Sequence, residues 1–244
     1  MISLKSPTSK LTLSFATLWL LDGSCVQDDD LAFFAQRLGA TEAERYKGFA
    51  RKVRRRQFLL GRMLLRFAAA CLTRLPPEVF SVTERAGDAP QFTHPAEQSL
   101  IPYFSLSHSS DWVACVVSSN ATVGVDIEVI NPSRDILASS RLAFHPEEHL
   151  WLLRQPGSAR VSGFYEIWCS REALYKLNPT LKRDATSSPL FGPDGNVVYN
   201  GCGWHRYSLP RSTLAVVVCS DRSLSGIEQV ELNGLTRPDW WLAN

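Results

Sequence analysis

No stretch of this chain approaches the roughly 20 apolar residues that a membrane-spanning helix needs, and no C-x-x-C pair occurs among its cysteines (Cys25, Cys71, Cys115, Cys169, Cys202 and Cys219). The first absence argues against a helical membrane protein. The second argues against a thioredoxin-like or zinc-ribbon motif and leaves reduced thiols in a cytoplasmic protein as the simplest reading. Charge of one sign is also lacking: the net charge is +2, too small for a global field that would draw nucleic acid or a membrane surface. Exact repeats and low-complexity tracts are missing as well. "HPEEH", His145 to His149, falls short of a zinc H-E-x-x-H, because Pro146 stands where the glutamate would be and no third ligand is suitably spaced.

What remains is ordinary globular material: 244 residues, 45% of them hydrophobic, enough for one large domain or two small ones. The opening "KLTLSFATLWLLDGSC" has lysines ahead of an apolar run, as a targeting segment does. Leu11, Leu13, Phe15, Thr17 and Trp19 alternate with smaller or polar residues, however, and no A-x-A-like site follows. A first core strand is expected. "VQDDDLAFFAQRLGA" reads as a short helix capped by aspartates. A longer helical region is expected from Thr41, with Thr41 and Glu44 as a capping box and "RLPPEV" as its end. A strand near Val79–Thr83 follows. Trp112–Val117 and the Val125 segment, joined by "SSNAT", read as a hairpin. "RQPGSARVSG" reads as a loop, and Phe164–Leu177 as a helix stopped by "NP". The basic run "RKVRRRQ", residues 51–57, reads as a solvated helix face before a nucleic-acid site, since the rest of the chain is not basic.

The chemistry starts at GVDIEVI, Gly124 to Ile130. A period of two puts Asp126 and Glu128 on one strand face, about 6–7 Å apart, where they repel. On the helix at 164–177 a period of 3.6 puts Tyr165, Cys169, Glu172 and Lys176 on one face, with Ile167, Leu174 and Leu177 opposite. If that helix packs over the strand, Glu172 joins the two acids. Hard oxygen ligands of this kind favour Mg²⁺, which completes its shell with waters and substrate phosphates. Lys176, one turn further on, suits a phosphate or pyrophosphate substrate.

"GVDIE" followed by "WCSREALYK" resembles the paired signature of the 4'-phosphopantetheinyl transferases, G-[hydrophobic]-D-[hydrophobic]-E and then W-[small]-x-K-E-[small]-x-x-K. "FSLSHSSDW" resembles the Ser-His-Ser segment of the same family, and "RRRQFLLGR" its arginine-containing N-terminal helix. The blocks lie in order over residues 45 to 177, and the length is similar to the larger, monomeric, surfactin-synthetase-type branch. The resemblance implies an α+β fold of two similar subdomains related by a pseudo-twofold axis, each a small sheet with packed helices. Residues 1–120 would form the coenzyme A nucleotide side and residues 121–244 the half with the metal carboxylates and the general base, the active site lying at the junction.

By the same resemblance Asp126, Glu128 and Glu172 would hold Mg²⁺ against the coenzyme A pyrophosphate. Lys176 would neutralise the phosphates. Ser107 and His108 would touch the phosphates near the nucleotide. Arg56, with Arg55 as a rival and Arg62 nearby, would approach the 3'-phosphate. Within "FHPEEHLWLL", Glu148 matches the general base and Glu147 is a second candidate. Arg171 stands where the family has lysine and would contact phosphate in its place. The family's Gly-Lys-Pro loop is "GDAP" here, Gly87 to Pro90, and Arg85 is a substitute cation. The reaction implied is transfer of 4'-phosphopantetheine from coenzyme A to a serine of an apo acyl or peptidyl carrier protein, releasing 3',5'-ADP, by a cytoplasmic monomer with no nucleic-acid or membrane partner. A Mg²⁺-dependent phosphohydrolase and a non-catalytic coenzyme A or carrier-binding module are the alternatives.

Overall fold

A computed structural model describes residues 13–83, 90–93, 101–178, 189–192 and 203–232. Leu11, Arg85, most of "GDAP" and the tryptophans of "RPDWWLAN" lie outside the described residues. Nine strands and six α-helices are found among those described, a mixed α+β architecture. The strands are β1 (Phe15–Asp22), β2 (Ser81–Thr83), β3 (Gln91–Thr93), β4 (Tyr103–Ser109), β5 (Trp112–Ser118), β6 (Val123–Val129), β7 (His205–Ser208), β8 (Leu214–Ser220) and β9 (Gly226–Leu232). The helices are α1 (Asp28–Ala35), α2 (Ala40–Gly48), α3 (Lys52–Thr73), α4 (Ile136–Ala143), α5 (Pro146–Arg154) and α6 (Gly157–Leu177).

The strands form a four-stranded sheet in the order β4-β5-β1-β9, a two-stranded ribbon β2-β3, and a three-stranded sheet β6-β8-β7. Three apolar clusters follow from this layering. One lies between α3 and the inner side of the first sheet, with Leu21, Phe34, Leu60, Met63, Leu64 and Val113. A second lies between α6 and β8, with Phe164, Ile167, Leu174, Val217 and Cys219. The third lies between the two larger sheets, with Leu18, Leu20, Ala114, Val116, Val125, Ile127, Val216 and Val218. The central strands β5 and β8 are buried along nearly their whole length, as strands covered on both faces are.

Several expectations are revised. The helical region from Thr41 is two helices, α2 and α3, because the C-cap residue Phe49 is extended (φ −74°, ψ 117°). α2 starts one residue before Thr41, and its N-cap is Gly39, whose N–H donates to Glu42 Oε2 at 3.1 Å; this is the backbone half of a capping box, since glycine has no side chain to accept in return. α6 begins at Gly157, so most of "RQPGSARVSG" is helix. Trp112–Ser118 does not pair with the Val125 strand. It pairs antiparallel with β4 on one side and β1 on the other, while β6 pairs with β8 in the other sheet. The hairpin turn is Ser110–Asp111, with Ser110 at φ +52°, and "SSNAT" carries the chain from one sheet to the next. β9, late in the chain, lies in the first sheet and runs parallel to β1, Trp19 beside Val230.

Candidate functional site

The site forms where two edge strands meet. β4 is the edge of one sheet and β6 the edge of the other. Gly124 settles how close α6 can come to β6. A Cβ there would lie 2.0 Å from the Ala173 carbonyl oxygen and 2.8 Å from the Leu177 nitrogen, so the helix backbone rests directly on the strand. That contact lowers Lys176 onto the strand, where its ammonium donates to Asp126 Oδ1 at 2.7 Å and to the Val125 carbonyl at 2.9 Å. Asp126 is 5% exposed. Its Oδ1 also accepts from Ser107 Oγ at 2.8 Å, and its Oδ2 is buried with no hydrogen-bond partner among the described residues.

Glu128 accepts from Ser109 Oγ at 2.7 Å. Burial pushes its carboxyl above the ordinary value and the charge of Asp126 adds to this, opposed by the Ser109 hydrogen bond, Arg134 and Lys176. The Cys169 thiol sits within this field. Burial first, then the charges of Asp126 and Glu128, push it well above its usual value, which keeps it a neutral thiol. Glu172 is half-buried on α6 and its charge acts on the Tyr175 hydroxyl. Among the described residues no three His, Cys, Asp or Glu side chains gather closely enough to hold a metal ion. Thus Asp126, Glu128 and Lys176 lie together, whereas Glu172 does not complete a three-acid cluster among the described residues. The donor set on β6 still suits a hard cation: an orphaned, buried carboxylate oxygen beside a second carboxylate is costly without positive charge.

His108 faces α3. Arg54 Nη1 lies 2.5 Å from His108 Nε2. Burial and then the Arg54 charge push the imidazole down to about 4, so it is neutral at neutral pH. Arg45, Phe49, Arg54, Phe58, Arg62 and His108 line a cavity of about 160 Å³, and Arg45, Phe58 and Arg62 also line a neighbouring cavity of about 380 Å³ against Glu42 and Val82. Beneath the pair lies a buried knot of Glu42, Arg62 and Arg66, each no more than 4% exposed. Glu42 is paired with both guanidiniums. Two buried cations on one anion leave this wall electropositive, and desolvation lowers Arg62 to about 10.

Four residues singled out in the sequence, Arg55, Arg56, Glu148 and Arg171, sit elsewhere than expected. Arg56 does not line the cavity: its Nη2 donates to the Gly23 and Val26 carbonyls, both at 2.5 Å, tying α3 to the end of β1. Arg55 donates to the Phe49 carbonyl at 2.8 Å. The arginine at the histidine is Arg54, and the break at Phe49 is what re-phases α3 and puts it there. Glu148, matched to the general base, is 0% exposed. Its Oε2 accepts from the His145 N–H at 3.0 Å and from Arg171 Nε and Nη2 at 3.1 and 2.5 Å. Its Oε1 accepts from the Leu190 and Phe191 N–H groups at 2.7 and 3.3 Å. A carboxylate so engaged holds no lone pair open to a substrate proton. Arg171, 4% exposed, spends its remaining Nη1 on the Tyr175 hydroxyl at 3.2 Å instead of reaching a phosphate. Glu147, one residue before, is exposed.

The family model for the 4'-phosphopantetheinyl transferase superfamily matches residues 122–189, which hold β6, α4, α5 and α6. Three relatives extend the match. The 4'-phosphopantetheinyl transferase gsp of Aneurinibacillus migulanus is 39% identical over 74 residues, 30% of this chain and 30% of that protein. The 4'-phosphopantetheinyl transferase psf-1 of Bacillus pumilus is 35% identical over 124 residues, 50% of this chain and 49% of that protein. The chain thus spans half or less of these two. The 4'-phosphopantetheinyl transferase HetI of Nostoc is 30% identical over 227 residues, covering 82% of this chain and 94% of that protein. The chain belongs to the 4'-phosphopantetheinyl transferase family. Similarity to gsp and psf-1 is consistent with the surfactin-type branch. Within this chain the matched region carries the acids and Lys176, while the arginine cavity comes from α2, α3 and β4, ahead of it.

Proposed function

We propose that this protein transfers the 4'-phosphopantetheine group of coenzyme A to a serine hydroxyl of an apo acyl or peptidyl carrier protein. The observation that carries the reading is the convergence of Asp126, Glu128 and Lys176 at the junction of the two sheets, beside a cavity walled by Arg45, Arg54 and Arg62. The serine oxygen attacks the β-phosphorus of coenzyme A, the bond from that phosphorus to the bridging oxygen breaks so that 3',5'-ADP leaves with the bonding pair, and the serine proton passes to solvent water. Mg²⁺ would be held by Asp126 and Glu128, with Glu172 as the further ligand expected from the family pattern, and would offset charge on the pyrophosphate oxygens. Lys176 stabilises the transferring group electrostatically, and positioning supplies most of the rest. Arg54 and neutral His108 receive the nucleotide phosphates. Glu148 braces Arg171 and α6 in this reading and does not take the proton. The pseudo-twofold relation belongs to the same proposal, supported by one long helix set against each sheet, α3 on β5 and α6 on β6 and β8. A monomer acting in the cytoplasm completes it.

The test is incubation of purified protein with coenzyme A, Mg²⁺ and several apo carrier proteins, read by intact mass. A pantetheinyl mass gain is expected, and D126N is expected to slow it by roughly 10²–10³-fold. No gain on any carrier overturns the proposal. The arginines give a second, crossed prediction. R54A is expected to weaken coenzyme A binding about tenfold with little change in melting temperature. R56A is expected to leave binding unchanged and to cost about 1–3 kcal/mol of stability. Calorimetric titration and thermal melts decide, and a selective binding loss in R56A would return the phosphate role to that residue.

A further inference from the structure

β6 has an unusual edge. Its Val125, Ile127 and Val129 N–H groups face away from β8 and would be orphaned if nothing else bonded them. Among the described residues no strand backbone pairs with them. Three alternate serines of β4 do so with their hydroxyls: Ser105 Oγ accepts from Val125 N at 3.1 Å, Ser107 Oγ from Ile127 N at 3.3 Å, and Ser109 Oγ from Val129 N at 3.0 Å. The period-two spacing of "SLSHS" is what presents all three to one side.

A hydroxyl has one proton and two lone pairs. With a backbone N–H on one lone pair, the direction of the proton becomes informative. Ser107 sends its proton to Asp126 Oδ1 at 2.8 Å, and Ser109 sends its own to Glu128 Oε2 at 2.7 Å. Each serine is therefore clamped by the peptide N–H that follows an acid in sequence and points at that same acid. Ser105, one register earlier, has Gly124 at the equivalent place and so no acid to orient. Ser107 is 6% exposed, and its only proton is committed, which argues against the phosphate contact expected of it.

We infer that Ser107 and Ser109 are positioning residues that set the rotamers of Asp126 and Glu128 for the cation, while the same ladder joins the two sheets. The inference rests on the proposed magnesium site. It makes the junction between the sheets part of the metal site: the first sheet supplies the outer support and the second supplies the ligands. Partners of this kind typically govern affinity as strongly as geometry does.

Ser105 provides the internal control, since S105A removes a ladder bond and touches no acid. The experiment is Mn²⁺ titration of the full chain without coenzyme A, followed by electron paramagnetic resonance, on the parent, S105A, S107A, S109A and S109T, each with a thermal melt. S107A and S109A are expected to weaken Mn²⁺ binding about tenfold. S105A should melt lower but bind Mn²⁺ like the parent, and S109T, which keeps a hydroxyl, should restore affinity. If S107A does not fold, half-buried Ser109 decides by itself. Parent-like Mn²⁺ affinity in S109A, or equal weakening in S105A, overturns the positioning role and leaves the magnesium reading standing. Absence of Mn²⁺ binding by the parent overturns the magnesium reading and the inference together.

Discussion

Replacing Glu148 by alanine is expected to lower the stability of this protein by about 3–5 kcal/mol, the usual cost of stripping one partner from a buried ion pair. The carboxylate is wholly buried and accepts from Arg171, from the His145 N–H that starts α5, and from the Leu190 and Phe191 N–H groups. Alanine would strand the Arg171 guanidinium and three backbone donors at once. Arg171→Ala should cost a similar amount, and Arg171→Lys should cost less than either, since an ammonium keeps the charge but loses the fork that meets Glu148 through Nε and Nη2. This accounts for an arginine where the family pattern has lysine: the side chain is a strut between α5 and α6. Chemical denaturation of the variants measures the loss. An E148A protein with parent stability and abolished transfer would reinstate Glu148 as the proton acceptor.

Gly124→Ala is the second large effect. The added carbon would sit 2.0 Å from a backbone oxygen of α6, and backbone cannot give way as a flexible side-chain tip can. Either α6 lifts or β6 bends, at about 3 kcal/mol or more, near the upper end of overpacking costs. Because the same contact seats Lys176 on Asp126, transfer should fall further than the stability loss alone explains. Assays well below the melting temperature separate the two. Full activity at that temperature would show that the close approach is dispensable. The glycine of GVDIE is thus explained by packing and the acids by chemistry, although the motif presents them together.

The sequence carried these parts unequally. Alternation placed Asp126 and Glu128 on one face without reference to any partner, and helical period placed Lys176 toward them, because both depend only on local geometry. Arg54 was missed because the phase of α3 is set by the break at Phe49, and nothing in "YKGFARKV" stops a helix strongly. Thr41–Glu44 has the spacing of a capping box, but Glu42 takes the Gly39 N–H at that same spacing and starts α2 earlier. Strand pairing went astray where it depends on the other edge: "SSNAT" has hairpin chemistry, but β5 finds both neighbours, β4 and β1, upstream. Burial of Glu148 was invisible because its donors include Leu190 and Phe191, some forty residues on. The serine ladder was in plain view as "SLSHS", yet only the meeting of two sheet edges gives the alternation its meaning.

The most direct test of the central claim is to count both products in one reaction. With coenzyme A, Mg²⁺ and an apo carrier protein, holo-carrier and 3',5'-ADP should form one for one, and neither should form when the carrier serine is replaced by alanine. Nucleotide released from coenzyme A without an acceptor would contradict the account and mark the site as that of a phosphohydrolase.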